Sequence, residues 1–235
     1  MAEESASSGV DARGLRYAAQ RIGLLALFAG LLFGAAGRWD WPRGWSYLGA
    51  VLLLEGLTLV VLALRAPEVL NQRGAIGTGV KSFDRAFAAL WLLLALATPV
   101  VAGLDAVRFR WSTLPPSLFS VGLAVLVPAS FLGGWAMVEN RHFEQFVRIQ
   151  EERGHRVVTT GPYRLVRHPG YLAAILGALA TPLMLGSAWT FAPAVLVALL
   201  FAARTRLEDR ALRRELPGYE GYARRTRFRL VPWVW

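Results

Sequence analysis

Cysteine is absent from the 235 residues, and lysine occurs once, as Lys81. Without a thiol the chain has no disulfide, no thiolate nucleophile and no thiolate metal ligand. The three histidines, His142, His155 and His168, lie too far apart in sequence to form a local metal-binding box. Charged residues make up only 18% of the chain, against roughly 25% in soluble domains. Secreted disulfide scaffolds, coiled coils and ordinary cytosolic enzymes are therefore excluded.

Long apolar runs take the place of the missing charge, and 55% of the residues are hydrophobic. Residues 86–104 and 118–138 carry no charge at all, and residues 45–64 carry only Glu55. A fourth run, residues 15–37, is polar only near its start. Each run is close to the ~20 residues that cross a hydrocarbon layer of ~30 Å as a helix. The sequence predicts an all-α integral membrane protein with four transmembrane helices.

A fifth apolar stretch, residues 171–203, is too long for one membrane helix. Gly186 and Ser187 interrupt it, which favours a hairpin of two short helices, residues 171–185 and 189–203. This hairpin places 22 of the 26 basic residues on one side of the membrane. Basic residues crowd cytoplasmic loops, so that side is predicted to be cytoplasmic. The same rule accounts for the net charge of +10 without a nucleic-acid partner.

The predicted threading divides the chain into two regions. Residues 1–138 hold a disordered N-terminal arm and the four transmembrane helices. Residues 139–235 hold a cytoplasmic loop, the hairpin and a C-terminal tail, and any chemistry is expected where the loop and the tail meet. The arginine-rich, lysine-poor composition indicates a prokaryotic plasma membrane, with the site and the tail in the cytoplasm.

The cytoplasmic loop contains a candidate anion site. Its first part, residues 140–153, has the apolar stripe of an interfacial helix. Pro169 favours the first turn of the next helix, which places His168 near the N-cap. A helix N-terminus binds anions, and three other donors are close in sequence: Tyr163, Arg164 and Arg167. The alternative is a capped helix whose arginines face lipid headgroups.

Two further charged features stand near or within the membrane. Arg204 and Glu208 are four residues apart, share a helix face and follow directly from an apolar segment. They are either a surface ion pair or functional charges at the membrane boundary. Glu55 is a lone carboxylate in the second apolar run, and is either a proton relay or substrate contact, or a paired residue that faces the bundle interior.

Taken together, these motifs resemble the isoprenylcysteine carboxyl methyltransferase family. The resemblance lies in residues 161–171, GPYRLVRHPGY, which contain the family's RHPxY pattern. It continues in residues 208–212, EDRAL, and in a tail with Tyr219, Tyr222 and Pro232. The second acidic position is Asp209 here, where the family has glutamate.

The resemblance implies an integral membrane methyltransferase that uses S-adenosyl-L-methionine and methylates the carboxyl group of a lipophilic, isoprenylcysteine-like acceptor. It assigns the acceptor carboxylate to Arg204 as the catalytic contact. It also assigns the following residues to the cofactor: Gln150, His155, Arg156, Val157, Val158, Tyr163, His168, Pro169, Gly170, Tyr171 and Glu208. No metal is implied.

The chemistry agrees with this assignment. A carboxylate is already ionised near neutral pH, so it needs positioning rather than a general base. Methyl transfer from a sulfonium to a carboxylate removes charge, and a dry site at the membrane edge favours that change. Three alternatives remain: N- or S-methylation of a phospholipid amine or small thiol, a nicotinamide-dependent sterol-type reductase, and a non-catalytic membrane protein.

Overall fold

The computed structural model describes residues 9–74, 82–143 and 156–235. The chain begins with two long helices, α1 (Ala12–Ala36) and α2 (Pro42–Arg65), followed by a short α3 (Pro67–Arg73). The remaining helices are α4 (Ser82–Gly103) with a π-helical turn (Leu104–Phe109), α5 (Leu118–Glu139), α6 (Pro169–Leu185), α7 (Phe191–Glu215) and α8 (Tyr219–Arg225). A 3₁₀ turn (Gly161–Arg164) precedes α6. No strand occurs in the described ranges, so the all-α prediction is confirmed.

Four of these helices are long and apolar enough to cross a membrane: Ala12–Ala36, Pro42–Arg65, Asp84–Phe109 and Leu118–Glu139. They coincide with the four predicted runs. Their lipid-facing sides are rich in exposed leucine and valine, as expected where the solvent is hydrocarbon. The predicted interfacial helix and the predicted disordered arm fall mainly or wholly outside the described residues.

The hairpin forms where the sequence predicts it. Helix α6 ends at Gly186, whose φ of 81° is left-handed and suits glycine. The guanidinium of Arg43, from the start of α2, donates to the carbonyls of Leu183 and Met184 at 2.6 and 2.7 Å. The same group donates to the Leu114 carbonyl at 3.0 Å. The turn is therefore held by a residue far away in the sequence.

A buried carboxylate also stabilises the hairpin turn. Asp105 is fully buried and accepts hydrogen bonds from the Ser112 hydroxyl at 2.6 Å and the Ser187 hydroxyl at 2.5 Å. It also accepts from the backbone N–H groups of Ser112 and Trp189. Four donors surround the charge, which offsets the cost of burying it.

Helix α7 differs from its prediction. The sequence predicts a helix that stops at residue 203, where apolar residues end, but α7 continues without a break to Glu215. Its 25 residues span about 37 Å, more than the membrane segment alone requires. Arg204 and Glu208 consequently lie inside one continuous helix, on the part that extends toward α8.

Four tryptophans lie near the ends of the membrane helices. The sequence predicts Trp39, Trp41, Trp45 and Trp111 as interfacial aromatics. Trp39, Trp45 and Trp111 are exposed, but Trp41 is buried and packs edge-on against Phe33. The prediction is wrong for Trp41, because its ring fills the core between α1 and α2.

Candidate active site

A cavity of about 110 Å³ lies where the segment after α5, the segment before α6, the far end of α7 and the start of α8 come together. The segment directly after α5 contributes Asn140, His142 and Phe143. Helix α6 contributes its first residues, because Pro169 fixes the start of that helix. The residues that line the cavity are Asn140, His142, Phe143, Arg156, Val157, Val158, Tyr163, Arg167, His168, Pro169, Gly170, Tyr171, Arg204, Glu208, Leu212, Leu216, Tyr219 and Tyr222.

Most of the predicted site residues meet at this cavity. Arg204 lines it together with nine of the residues assigned to the cofactor: Arg156, Val157, Val158, Tyr163, His168, Pro169, Gly170, Tyr171 and Glu208. Gln150 and His155 lie outside the described residues. The structure thus brings the two polar pieces of the sequence together, while the role of each residue stays a prediction.

His168 occupies the N-cap position of α6, as predicted, and is buried. Its Nε2 atom has no hydrogen-bond partner among the described residues, although Asp209 Oδ1 lies 3.8 Å away. The imidazole stacks on the Tyr171 ring at a centroid distance of 5.5 Å. Buried polar atoms are nearly always hydrogen-bonded, so either Asp209 or a bound group is the natural partner of this nitrogen.

Arg204 is held from two sides. Its guanidinium lies 3.2 Å from the carboxylate of Asp84, which is fully buried near the start of α4. The same guanidinium lies over the ring of Phe87 at 4.1 Å and near the ring of Tyr171 at 5.3 Å. Cation–π contacts of this kind contribute most where water is excluded. The charge is therefore fixed in position at the edge of the cavity.

Glu208 lies one helical turn beyond Arg204 on α7 and forms a short hydrogen bond with the Tyr171 hydroxyl. The two charged residues share a face of α7, as the spacing predicts, but each pairs with another helix. Arg204 pairs with α4 and Glu208 with α6. Of the two alternatives drawn from the sequence, the surface ion pair between these residues is therefore wrong, because Arg204 pairs with Asp84 and Glu208 with Tyr171.

Arg167 has a role that differs from the predicted one. It was expected to surround the helix N-terminus with donors, yet its guanidinium binds Asp209 at 2.8 Å and the backbone carbonyls of Thr226 and Arg227 at 2.7 and 2.9 Å. Its side chain is 3% exposed. Arg164 is exposed and does not line the cavity. Arg167 thus donates to Asp209 and to the tail, and Arg164 lies outside the cavity.

Asp209 is the centre of a buried charge network that ties the tail to the site. Its carboxylate also accepts from the Tyr219 hydroxyl at 3.0 Å and from Arg229 at 3.1 Å. Burial opposes ionisation of Asp209, but His168, Arg167 and Arg229 outweigh it, and the pKa lies well below its usual range. Two backbone hydrogen bonds, from Arg167 and His168 to the carbonyls of residues 228 and 229, hold the tail against this segment.

Two tyrosines of the tail form part of the cavity wall. Burial raises the pKa of Tyr219 well above its usual value, and the adjacent Asp209 carboxylate raises it further. Burial likewise raises the pKa of Tyr222. The Tyr222 hydroxyl donates to the Tyr163 carbonyl at 2.8 Å. Both phenols remain protonated donors near neutral pH.

Several cavity residues were not predicted from the sequence. Leu212 and Leu216 continue the four-residue spacing that starts at Arg204 and Glu208, and that spacing is a signal that would have identified them. Tyr219 and Tyr222 are identified from the sequence only as part of the tail that carries the resemblance and are not assigned to the site. Asp84 carries no local motif, so only the fold reveals its contact with Arg204.

A second, larger cavity of about 480 Å³ lies among the membrane helices. It shares Phe143 and Gly170 with the first cavity, so the two adjoin at these residues. A side chain on Gly170 would lie 2.6 Å from the Phe143 ring, which shows how closely the ring approaches. Apolar helix faces form most of this cavity, but the Arg21–Glu55 ion pair also lines it.

Fold and site together define a polytopic α-helical membrane protein whose polar cavity adjoins an intramembrane cavity. Residues 121–214 match the isoprenylcysteine carboxyl methyltransferase (ICMT) family. This segment runs from α5 through almost the whole of α7 and contains most of the cavity wall. The family resemblance predicted from the sequence is thereby confirmed.

Similar proteins come from bacteria and plants. The chain is 42% identical over 79 residues to the cobalt-zinc-cadmium resistance protein CzcN of Cupriavidus metallidurans, covering 33% of this chain and 37% of that protein. It is 32% identical over 109 residues to a probable protein-S-isoprenylcysteine O-methyltransferase of Oryza sativa subsp. indica, covering 45% and 57% of the two chains. Protein-S-isoprenylcysteine O-methyltransferase B of Arabidopsis thaliana is 31% identical over 94 residues, covering 39% and 48%. The chain thus spans between about a third and somewhat over half of these relatives.

Proposed function

We propose that this protein is an integral membrane methyltransferase that uses S-adenosyl-L-methionine and methylates the carboxyl group of a lipophilic acceptor. The observation that carries the proposal is the cavity in the family-matched segment, where His168, Arg204 and Glu208 converge. The plant relatives are named as isoprenylcysteine O-methyltransferases, which supports the same class of reaction. Residues 139–235 form the proposed catalytic region, with its site on the cytoplasmic side.

The cavity residues fit such a cofactor. His168 lines the cavity, and its buried Nε2 is a polar atom suited to a hydrogen-bonding group of the cofactor. Glu208 offers a carboxylate for a positively charged amino group, and Gly170 leaves the first turn of α6 open to close approach. S-adenosyl-L-methionine supplies, when bound, a methyl group on a sulfonium centre. The proposed cofactor contacts are those predicted from the sequence, including Gln150 and His155.

Arg204 is the proposed contact for the acceptor carboxylate. Its side chain is 7% exposed, and Asp84 and the Phe87 ring fix the position of its guanidinium. A guanidinium has five N–H donors in a fixed plane that match the geometry of a carboxylate, so Arg204 is suited to contact the acceptor carboxylate. Holding one oxygen of an already ionised acceptor orients the other oxygen for attack, which is the contribution required of the protein.

The intramembrane cavity supports a lipophilic acceptor. Its volume of about 480 Å³ and its apolar helix walls are suited to an alkyl or isoprenoid chain. It adjoins the first cavity at Phe143 and Gly170, so an acceptor can place its polar end beside Arg204 while its chain remains among the helices. The bilayer is the source and the destination of such a molecule.

A binding titration tests the proposed cofactor class. Purified protein in detergent is titrated with S-adenosylhomocysteine and, separately, with NADPH. We expect micromolar binding of S-adenosylhomocysteine alone, lost in His168→Ala and retained in Arg164→Ala, because Arg164 is exposed and outside the cavity. Binding of NADPH alone would move the protein to the sterol-type reductases, and binding of neither would remove support for a cofactor site.

A further inference from the structure

An ion pair lies at mid-depth among the membrane helices. Arg21 of α1 binds Glu55 of α2 with two parallel hydrogen bonds, from Nε at 2.7 Å and from one terminal nitrogen at 2.9 Å. Glu55 stands ten residues before the end of α2, about 15 Å along the helix. The sequence interpretation left Glu55 as either a functional carboxylate or a paired one, and the structure shows that it is paired.

The ion pair lines cavities rather than a packed helix interface. Both side chains border the intramembrane cavity of about 480 Å³, and both also border a smaller cavity of about 160 Å³ beside it. The Arg21 and Glu55 side chains are 35% and 24% exposed. An ion pair that served only to join α1 to α2 would be buried between those two helices. This pair is instead accessible from the space where a lipophilic molecule would lie.

Arg21 has hydrogen-bonding capacity beyond this pair. The bonds to Glu55 use Nε and one terminal nitrogen. The other terminal nitrogen carries two N–H donors, and no described residue accepts a hydrogen bond from it. A charged N–H donor that lines a cavity is stabilised by a ligand oxygen that accepts its hydrogen bond. A hydrocarbon chain has no such oxygen. The pair is therefore poorly matched to an unsubstituted isoprenoid chain.

A series of side-chain contacts connects the junction of the two cavities with the helical turn next to Arg21. The Arg73 guanidinium lies 5.3 Å from the centre of the Phe143 ring and donates to the Tyr17 hydroxyl at 3.0 Å. Arg21 follows Tyr17 by one turn of α1, about 6 Å. Tyr17, Arg73 and Phe143 all line the intramembrane cavity. The ion pair thus lies well along the cavity from the junction.

We propose that Arg21 and Glu55 form a binding subsite for a hydrogen-bond-accepting oxygen, such as a carbonyl or hydroxyl, in the chain of a lipophilic ligand. The inference rests on the proposed function in one respect, namely that the ligand is the methyl acceptor. The acceptor is then a lipid with two polar groups: a carboxylate at the Arg204 end and an oxygen further along its chain. This distinguishes it from a plain prenyl or saturated chain.

The test compares stearic acid with a stearic acid that carries a mid-chain keto group. Equal amounts of the two acids are added to the full-length protein in detergent, and native mass spectrometry measures the ratio of the bound forms. We expect the wild-type protein to prefer the keto acid by about tenfold or more. The double variant Arg21→Leu/Glu55→Leu should bind the acids in a ratio at least about tenfold closer to equality. Comparing ratios between proteins cancels the different partition of the two acids into micelles.

Two variants provide controls. Replacing a buried ion pair by apolar residues of similar size is often neutral or stabilising, so the leucine variant should fold. Arg21→Gln/Glu55→Gln is a second neutral variant that keeps polar side chains. Arg38→Gln/Asp40→Asn removes an exposed ion pair at another place and should leave the preference unchanged.

The outcomes separate this inference from the proposed function. A ratio of bound keto acid to bound stearic acid that is the same in the wild-type protein and in both neutral variants overturns the subsite. Methyl transfer to both acids without any preference also overturns the subsite but supports the methyltransferase. A preference that depends on Arg21 and Glu55, without S-adenosylhomocysteine binding, supports the subsite and contradicts the methyltransferase.

Discussion

The guanidinium of Arg204 lies 3.2 Å from the carboxylate of Asp84, and both side chains are buried where α7 meets the start of α4. The family match begins at residue 121, so Asp84 belongs to the part of the chain that it does not cover. A residue proposed to contact the acceptor is thus positioned by a helix outside the matched segment. This relationship makes Asp84 a positioning residue whose effect is testable apart from that of Arg204.

Substitution of Arg204 should separate cofactor binding from turnover. Arg204→Ala should keep the affinity for S-adenosylhomocysteine and abolish methylation of a carboxylate acceptor, because the acceptor loses its cationic contact. Turnover of a lipophilic acid and a calorimetric titration measure the two effects. Activity close to that of the wild-type protein would show that the acceptor role assigned to Arg204 is wrong.

Asp84→Asn keeps the shape of the side chain and removes its charge. We expect KM for a carboxylate acceptor to change about tenfold or more while the affinity for S-adenosylhomocysteine changes less than about twofold, since Arg204 loses its fixed position. The exposed Asp40→Asn is the matched control. Equal loss of both properties would indicate general misfolding instead of mispositioning.

Glu208 should be required for the cofactor. Glu208→Ala should weaken binding of S-adenosylhomocysteine by about 10- to 100-fold, the expected effect of losing a hydrogen bond to a charged group. Tyr171→Phe removes the hydroxyl that bonds to Glu208 but keeps the ring beside Arg204, so a smaller effect is expected. Unchanged affinity in the alanine variant would remove Glu208 from the proposed site.

Asp209 should be a major source of stability for the tail. Asp209→Asn leaves Arg167 buried without its countercharge, which typically costs about 3–5 kcal/mol. The lowered pKa means that Asp209 contributes its full stabilisation above about pH 4, its unfolded pKa, and loses it as pH falls toward the lower folded pKa. Thermal unfolding in detergent should therefore show a smaller acid-induced decrease in Tm for the variant. Identical decreases would exclude Asp209 as the responsible group.

Gly170 should be sensitive to a single added methyl group. Its Cβ would lie 2.6 Å from the Phe143 ring, so Gly170→Ala must displace that ring at the junction of the two cavities. We expect acceptor turnover to fall about tenfold or more. Gly177→Ala, about two turns further along the same helix, serves as the control. Its Cβ would lie 3.8 Å from Leu126, an ordinary van der Waals contact. Partial rescue by Phe143→Ala in the Gly170→Ala background would identify the ring as the cause.

The sequence predicted those parts of the fold that depend on hydropathy and local signals. Four apolar runs became four helices, Gly186 ended α6, and Pro169 opened it with His168 at the cap. Each of these depends on physical properties of a few adjacent residues. The extension of α7 to Glu215 was not predicted, because the apolar pattern stops at residue 203 while helix formation does not require apolar residues.

The candidate site was predictable in its membership but not in its pairing. Spacing placed Arg204 and Glu208 on one face, and the motif placed His168 and Tyr171 beside them. The partners of these residues come from distant parts of the chain: Asp84 for Arg204, and Asp209 for Arg167. A single sequence carries no signal for such contacts, since any of several buried acids and bases has suitable charge.

The hydrogen bonds from Arg43 to the hairpin turn limit how short a fragment of this protein can be and still fold. The carbonyls of Leu183 and Met184 receive their hydrogen bonds from the start of α2, about 140 positions earlier in the chain. A fragment that begins at residue 121 would keep the family-matched segment and lose these donors, as well as Asp84 and Asp105. We expect that segment, expressed alone, to lack the hydrogen bonds that hold the hairpin turn, so the proposed catalytic region should not fold independently of the first helices.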